Sequence, residues 1–188
     1  MADLESIRCS LRGSIDPTVP NGLNTRIAAV LIIVYGQEPT VIMTERPKTM
    51  NIHAGEVSFP GGSWKRDDSD LLYTALRETG EEIGAKISRK QVIGQLKAVT
   101  TLNSGFTIYP FVAVQEEPPV INPNSEIASV LRIPLIPLLK TMDYDEDPSH
   151  QSILEMYTFK FHNYLIWGAS ARMLHQIHAV LSSSSLLQ

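Results

Sequence analysis

Nine consecutive apolar residues, from Ile27 to Tyr35, form the longest apolar run in the chain. A helix needs about 20 apolar residues to cross a bilayer, so this run is too short to be a membrane span. Its content of Ile and Val instead predicts a buried strand over residues 25–35. A turn over residues 36–39 and a partner strand over residues 40–45 follow, so the sequence predicts a hairpin.

Length and composition indicate a single globular domain. The chain has 188 residues, of which 43% are hydrophobic and 19% are charged, and its formal net charge is -4. This acidic balance argues against a nucleic-acid partner, because proteins that bind nucleic acids neutralise phosphates with Lys and Arg. The chain has a single cysteine, Cys9, and its N-terminal segment has acids where a signal peptide has basic residues. We therefore expect a cytoplasmic protein with no membrane partner.

Turn residues and hydrophobic periodicity divide the rest of the chain into short elements. Prolines and glycines predict a loop over residues 46–62, followed by a helix that Asp68 or Ser69 caps and Gly84 ends. We expect one domain over residues 1–188, with its core at 25–181, in which a mixed sheet carries a helix on each face. The further predictions are an N-terminal helix over 3–12, strands over 91–101, 106–115, 127–133, 153–161 and 164–167, helices over 135–142 and 169–181, an acidic loop over 143–149 and a frayed tail over 182–188.

Three glutamates, Glu78, Glu81 and Glu82, lie on one side of the predicted helix. Their spacing of i, i+3 and i+4 places them within an arc of about 100°. Like charges so placed repel, and a divalent cation such as Mg²⁺ or Mn²⁺ reverses that cost because it prefers oxygen ligands. Arg77 is placed to orient a carboxylate, and Gly80, unfavourable inside a helix, suggests a close backbone approach. A solvated acidic face is the alternative interpretation of this spacing.

The segment over residues 77–85, RETGEEIGA, resembles the second half of the Nudix hydrolase signature. That signature is G-x5-E-x7-R-E-U-x-E-E-x-G-U, where U is a bulky aliphatic residue, and Thr79 takes the first U position here. Counted back from the arginine, the signature's glycine and acid fall on serines, which indicates a loop one residue longer. Gly62 is the expected substitute for the glycine, and either Asp68 or Asp70 is the expected substitute for the acid.

A second pattern, just upstream, resembles the coenzyme A pyrophosphatase branch of that family. The branch pattern is L-L-T-x-R-S-x3-R-x3-G-x3-F-P-G-G, and residues 42–62 have the sequence IMTERPKTMNIHAGEVSFPGG. Pro47 replaces a serine of the pattern, and Asn51 replaces its second arginine. The segments SEIASV from Ser125 and YLIWGASA from Tyr164 resemble later parts of the branch, so the likeness spans most of residues 25–180.

The resemblance implies a Nudix fold, an α/β/α sandwich with a mixed β-sheet. It also implies Mg²⁺- or Mn²⁺-dependent hydrolysis of coenzyme A or its derivatives to 3',5'-ADP and 4'-phosphopantetheine, and a homodimer, which is common in the family. Asn51 leaves open a Nudix hydrolase of another nucleotide, such as ADP-ribose or NADH, because one fewer cation weakens binding of an additional phosphate. A Nudix module that binds a nucleotide without cleaving it is the third interpretation.

The same resemblance assigns roles to the acidic residues. Glu78 and Glu82 are the expected principal metal ligands, and Glu81 is a further ligand or the general base. Arg77 orients them, so the expected catalytic group contains Arg77, Glu78 and Glu81. Glu126, in a distant loop, is a candidate extra acid, with a plain surface glutamate as the alternative.

Five further residues in or beside the loop over residues 46–62 are expected to contact the metal or the substrate. The backbone of Gly62 is expected at the metal, and that of Gly61 at the substrate. Arg46 belongs to the matched pattern and is expected to meet a substrate phosphate, with a surface ion pair as the alternative. His53 is expected to contact substrate and Trp64 to stack on adenine, whereas a partly buried loop anchor is the alternative for Trp64.

Overall fold

The computed structural model describes residues 2–20, 26–47, 55–101, 104–145 and 156–187, which form two sheets and the helices that cover them. The helices are α1 (Leu4–Leu11), α2 (Leu71–Ile83), α3 (Leu135–Leu139) and α4 (Gly168–Ser183), with a 3₁₀ turn over Arg89–Gln91. The strands are β1 (Arg26–Tyr35), β2 (Thr40–Glu45), β3 (Val57–Ser58), β4 (Gly61–Ser63), β5 (Val92–Gln95), β6 (Val99–Thr100), β7 (Phe106–Gln115), β8 (Ser129–Pro134), β9 (Asp143–Tyr144), β10 (Tyr157–Phe161) and β11 (Tyr164–Ile166). No helix within these described ranges is long and apolar enough to cross a bilayer.

β1 lies at the centre of the larger sheet. Its whole length pairs in parallel with β7, from Arg26 opposite Phe106 to Tyr35 opposite Gln115. On its other side, residues 28–30 pair antiparallel with β4 and residues 34–35 pair antiparallel with β2. β2 continues the sheet to β3 and β8, and β7 continues it to β5 and β6. The expected mixed sheet and the expected hairpin of β1 and β2 are confirmed.

The two faces of β1 enter separate hydrophobic cores. Its odd-numbered residues from 29 to 35 pack with α2, and its even-numbered residues from 30 to 34 pack with α1, α3 and α4. A strand covered on both faces has no solvent side, which explains why its sequence is uniformly apolar rather than alternating. The expected α/β/α arrangement is confirmed.

A smaller antiparallel sheet of β9, β10 and β11 extends the layer on the α4 side. Phe159 of β10 is fully buried in the core that α4 covers. The acidic loop predicted over 143–149 begins as a strand, because Tyr144 pairs with Tyr157. Residues 146–149 of that predicted loop, and residues 153–155 of the strand predicted over 153–161, lie outside the described residues.

Two predicted segments of the larger sheet were wrong. The loop predicted over 46–62 contains β3 and the start of β4, which lies so close to β1 that a side chain at Gly61 would overlap the β1 backbone. The strand predicted over 91–101 is divided into β5 and β6. Pro110 of β7 accepts from Leu96 through its carbonyl but has no N–H to donate on that side, so the hydrogen-bond ladder is interrupted.

The C-terminal tail, expected to fray over 182–188, is packed through residue 187. α4 continues to Ser183, and Ser185 then adopts a positive φ of 58° that turns the chain. The amide of Leu186 donates to the carbonyl of Leu181 at 2.9 Å, and Leu186 and Leu187 pack against the core. The prediction failed because two leucines at the end of the tail find apolar surface to cover.

Candidate active site

α2 is fixed at both ends by caps. Asp70 caps its N-terminus by accepting from the Tyr73 amide at 2.7 Å, and Arg89 holds the Asp70 carboxylate at 2.7 Å. Gly84 ends the helix with a φ of 70°, as predicted. The cap was expected at Asp68 or Ser69, and the structure corrects this by one or two residues because the Asp68 side chain binds elsewhere.

Asp68 is buried and forms a two-pronged ion pair with Arg77. Its carboxylate oxygens accept from Arg77 Nε and Nη2, both at 2.8 Å, and also from the Thr74 hydroxyl and the Lys65 amide. The hydrogen bonds from Arg77 lower the pKa of Asp68 to about 2 despite its burial. Of the two acids that the sequence left open, Asp68 therefore partners Arg77, and Asp70 is the helix cap.

Arg77 joins this loop acid to the glutamates of α2. Its Nη1 donates to Glu78 at 2.6 Å and to Glu81 at 3.1 Å, while Nη2 lies 3.4 Å from the Ser63 carbonyl. These acids, Asp68 foremost, raise the pKa of Arg77, so it stays charged. The expected orienting position of Arg77 is present, and it is held from β4, the loop and its own helix.

Glu82 is the buried acid of the group, with 6% of its surface exposed. Its Oε2 accepts from the Gly61 amide at 3.0 Å, and its Oε1 lies 4.0 Å from the Arg46 guanidinium. Burial raises the pKa of Glu82 to about 7, which the Gly61 hydrogen bond and Arg46 oppose. The negative charges of Glu78 and Glu126 raise this pKa further.

The glycine pair brings β4 against these acids. A side-chain carbon at Gly62 would lie 2.7 Å from the Glu78 carboxylate, so only glycine leaves room for Glu78 at this position. In the β1–β4 ladder, hydrogen-bonded and non-hydrogen-bonded positions alternate along the strand. The hydrogen bonds that the amides of Leu31 and Trp64 donate show that Gly62 is a position whose N–H and C=O face β1. The polar backbone atoms of Gly61 therefore point away from β1, toward the acids, whereas those of Gly62 point to Ala29.

The three glutamates of the predicted cluster do not meet at one point. Glu81 is half exposed and binds Arg77, with Lys65 Nζ 3.7 Å away, whereas Glu82 is turned inward to Gly61. Lys65 Nζ also lies 3.5 Å from Glu78. Within the described residues, no three His, Cys, Asp or Glu side chains are gathered as a set of metal ligands. The positively charged side chains of Arg77 and Lys65 lie between these carboxylates, which explains why the carboxylates are apart.

A loop between β7 and β8 adds Glu126 to the site. The backbone amide and side-chain amide of Asn124 donate to the carbonyls of Glu82 and Glu81, both at 2.9 Å. Asn124 then accepts from the Glu126 amide at 2.8 Å, so the loop is anchored to the end of α2. Asn124 was missed from the sequence, since an asparagine in a polar loop carries no signal beyond turn preference.

A cavity of about 600 Å³ opens beside the glycine pair, between the sheet and the start of α4. Arg46 and Gly61, which the sequence assigns to substrate binding, line it, and so does Gly62, whose backbone was expected at the metal. Trp64 is not among the described lining residues and packs instead against the α2-side core, the alternative role. His53 lies outside the described residues. Lining residues that were not predicted as contacts include Phe59, Phe106, Met156, Trp167, Ser170 and Arg172.

Comparison with known proteins decides the family. Residues 25–157 match the family model described as NUDIX domain. The chain belongs to the Nudix family. Two relatives named uncharacterized Nudix hydrolase NudL support this: one from Photorhabdus laumondii is 34% identical over 160 residues, covering 82% of this chain and 84% of that protein. The other, from Yersinia pestis, is 32% identical over 157 residues, covering 82% and 78%. Nudix hydrolases act on diphosphate bonds, and this chain is an enzyme of that class.

Solved structures show the same Nudix fold. A MutT/nudix family protein from Enterococcus faecalis has a TM-score of 0.59 at 14% identity, covering 89% of this chain and 64% of that chain. The Nudix hydrolase RenU from M. smegmatis has a TM-score of 0.53 at 16% identity, covering 85% and 87%. At such identities the likeness concerns the fold alone.

Nudix hydrolases generally use divalent metals such as Mg²⁺ or Mn²⁺, and the donors of this Nudix site fit such an ion. Glu78 and Glu82 present carboxylate oxygens beside the outward backbone of Gly61, and all these donors are hard oxygens. Burial is the main cause that raises the pKa of Glu82, and the charges of Glu78 and Glu126 add to it; a bound cation would favour the charged carboxylate. Glu81 fits less well because Arg77 and Lys65 already hold it.

Proposed function

We propose that this Nudix enzyme is a divalent-metal-dependent pyrophosphohydrolase of coenzyme A or its derivatives, releasing 3',5'-ADP and 4'-phosphopantetheine. The observation that carries the proposal is the position of the coenzyme A branch pattern. Its Arg46, Phe59, Gly61 and Gly62 line one cavity, and Glu82 lies at the edge of that cavity, bonded to Gly61. A cavity of about 600 Å³ also falls within the roughly 300–1,000 Å³ that is usual for small-molecule sites.

Glu78 and Glu82 are the residues that we expect to hold the metal, with the Gly61 backbone beside them. The bound ion supplies charge neutralisation at the diphosphate and a more acidic water. Asp68 and Arg77 position Glu78, because the guanidinium is locked by two bonds on one side and donates to Glu78 on the other. Glu81, Glu82 and Glu126 are the candidates to take the proton of the attacking water.

Arg46 is the residue that we expect to bind the diphosphate. It lines the cavity, and its guanidinium lies 4.0 Å from Glu82. This places a positive charge between the acids and the cavity, where it can meet phosphate oxygens without leaving Glu82. Its partial burial limits the freedom of the side chain, which favours a fixed orientation.

The test is product analysis by mass spectrometry after incubation of the purified chain with Mg²⁺ or Mn²⁺. Coenzyme A, dephospho-coenzyme A, ADP-ribose and NADH are supplied separately. We expect 3',5'-ADP from coenzyme A, formed fastest in the panel and abolished by EDTA.

Asn51, where the branch pattern has arginine, is the feature that favours the other substrates. Cleavage of ADP-ribose or NADH with coenzyme A untouched would overturn the substrate and leave the Nudix chemistry in place. Turnover that survives EDTA and dialysis against EDTA would overturn the metal requirement.

A further inference from the structure

The start of α4 faces the same cavity as Arg46 and Gly61. Gly168, Ala169 and Ser170 form the first turn of this 16-residue helix and line the cavity. Among the described residues no side chain caps the helix, whose N-cap position is Trp167, and its first turn contains no acid. The first amides of a helix have no partner within it and carry its positive dipole end, so they favour an anion.

Ser170 gives an independent indication of a ligand at this point. It has 7% of its surface exposed and lines the cavity. Its hydroxyl makes no hydrogen bond within the described part of the chain and is not closed off from the cavity. Since the surrounding protein does not satisfy this hydroxyl, a polar group of a ligand in the cavity is the partner that the site can accept.

Charge at this end also favours an anion. Arg172, one turn farther along α4, lines the cavity, and its guanidinium donates to the Thr100 carbonyl at the end of β6. The charged residues that line the whole cavity are Arg46, Arg172 and Glu56, so cations outnumber acids among the described residues. The first-turn amides of α4 add to this balance.

The strand order separates the contact of Arg172 with Thr100 from the acids. β4, β1, β7 and β6 are successive neighbours, so Gly61 and Thr100 lie three strand spacings apart. At about 4.8 Å per spacing this is about 14 Å. One group of a ligand can therefore lie beside Glu82 while another, separate group lies on the side of the cavity where Arg172 contacts Thr100.

We propose that the first turn of α4, with the Ser170 hydroxyl, binds a phosphomonoester of the substrate that is separate from the diphosphate. The proposal rests on the proposed function only for the identity of this group, which in coenzyme A is the 3'-phosphate of the nucleotide. The subsite would supply the anion recognition that the chain loses where Asn51 stands in place of the second arginine of the branch pattern.

Equilibrium binding without metal tests the subsite apart from catalysis. In EDTA, we expect isothermal titration calorimetry to show that wild type binds 3',5'-ADP at least about tenfold more tightly than 5'-AMP, as bonds to a charged phosphate imply. Ser170→Asp should abolish this preference through repulsion, and Ser170→Ala should reduce it. Acids are favourable in the first turn of a helix, so the aspartate variant is expected to fold, with circular dichroism as the check.

Ser182→Asp is the matched control, because it adds the same charge to the exposed end of the same helix. It should keep the wild-type preference. Equal affinity of wild type for the two nucleotides, no binding of either up to millimolar concentration, or a preference unchanged in both Ser170 variants would overturn the subsite.

Kinetics separate this proposal from the proposed function. The ratio of kcat/KM for coenzyme A to that for dephospho-coenzyme A should fall in the Ser170 variants and stay constant in Ser182→Asp. An equal loss on both substrates would overturn the subsite while coenzyme A hydrolysis stands. If wild type leaves coenzyme A intact, the proposed function fails, and the two nucleotides still decide whether the subsite exists.

Discussion

Gly62 has a specific steric role, which the substitution Gly62→Ala tests. The added methyl would lie 2.7 Å from the Glu78 carboxylate, so Glu78 must move away from the position where Arg77 directs it. We expect kcat/KM to fall at least about tenfold, because small misplacements at a reacting centre are costly. Steady-state kinetics at saturating Mg²⁺ measures the loss.

Gly80→Ala is the control for that experiment, since both variants add one methyl near α2. Among the described residues, a side-chain carbon at Gly80 meets only the Ala85 carbonyl, at 3.8 Å, so they show no close backbone approach of the kind that the sequence suggests. Alanine should stabilise the helix by about 1 kcal/mol and leave kcat/KM unchanged. Equal activity losses in the two variants would contradict the role assigned to Gly62.

Glu82→Gln keeps the shape of the side chain and an acceptor for the Gly61 amide, but it removes the negative charge. We expect activity to fall at least about 100-fold, equivalent to about 2.7 kcal/mol in the barrier, because a metal ligand loses its charge. Mn²⁺ should raise the Tm of wild type, and this rise should be absent in the variant. Turnover within tenfold of wild type at saturating Mg²⁺ would remove Glu82 from the metal site.

The same substitution should stabilise the metal-free enzyme at alkaline pH. The pKa of Glu82 is raised to about 7 in the fold, so its contribution to stability is greatest below its ordinary value and is lost as pH rises through 7. Glutamine has no charge to bury, so above pH 8 the free energy of unfolding of the variant should exceed that of wild type by about 3 kcal/mol. Urea unfolding in EDTA at pH 5 and pH 8.5 measures it, and a gain independent of pH would refute the explanation.

At the residue scale, the sequence predicted the chemical identities better than their geometry. Glu78, Glu82 and Arg77 lie on α2 as their spacing predicts, but the predicted convergence of the three glutamates is not seen. The inward turn of Glu82 could not be predicted, because it depends on the Gly61 amide of a strand 21 residues earlier in the chain. Trp64 likewise packs on the α2-side core. This position could not be predicted, because it depends on the space left by neighbouring side chains and not on spacing in the sequence.

At the scale of elements, the ion pair of Asp68 and Arg77 ties the loop after β4 to α2. The pKa of Asp68 is lowered to about 2, so its stabilising effect is complete above its ordinary value of 3.8 and is lost as pH falls through 2. Asp68→Asn should therefore lose about 2 kcal/mol relative to wild type at pH 6, and the difference should shrink toward pH 2. Urea unfolding across this range is the measurement.

The Asp68→Asn substitution should also change the activity, because the ion pair of Asp68 and Arg77 positions Glu78. The neutral amide of the Asp68→Asn variant cannot hold the guanidinium by two charged bonds, so Arg77 should orient Glu78 less well and kcat should fall more than KM changes. Asp70→Asn, which weakens the helix cap pair with Arg89, is the control at an adjacent acid. Its loss of stability without a loss of kcat would separate positioning of Glu78 from simple support of the helix.

Elements that depend on local signals were predicted well, and those that depend on distant partners were not. α2 ends at Gly84 and the hairpin of β1 and β2 has the expected bounds, because caps and turns are encoded within a few residues. β4 was taken for loop, since three residues with two glycines become a strand only by pairing with β1. The sequence predicted the helix cap at Asp68 or Ser69 instead of Asp70, because it could not show that the Asp68 side chain binds Arg77.

At the scale of the whole molecule, β1 is shared by both cores, so the two layers should unfold together. Leu31 is fully buried on the α2 side and Ile32 is fully buried on the α4 side. Either residue changed to alanine should cost about 2–5 kcal/mol. Because one strand carries both side chains, each change should destabilise both layers rather than its own layer alone.

The two tryptophans provide separate probes of that cooperativity. Trp64 packs with the α2-side core, while Trp167 lines the cavity on the α4 side. In the background of Trp64→Phe or Trp167→Phe, fluorescence therefore reports on one layer at a time, and the chain contains only these two tryptophans. Urea unfolding should give the same free energy of unfolding by fluorescence and by circular dichroism in each background, and Leu31→Ala should lower both equally. A Leu31→Ala transition that moves for the Trp64 probe but not for the Trp167 probe would mean that β1 does not couple the layers, and that the acids of α2 and the start of α4 belong to independently folding parts.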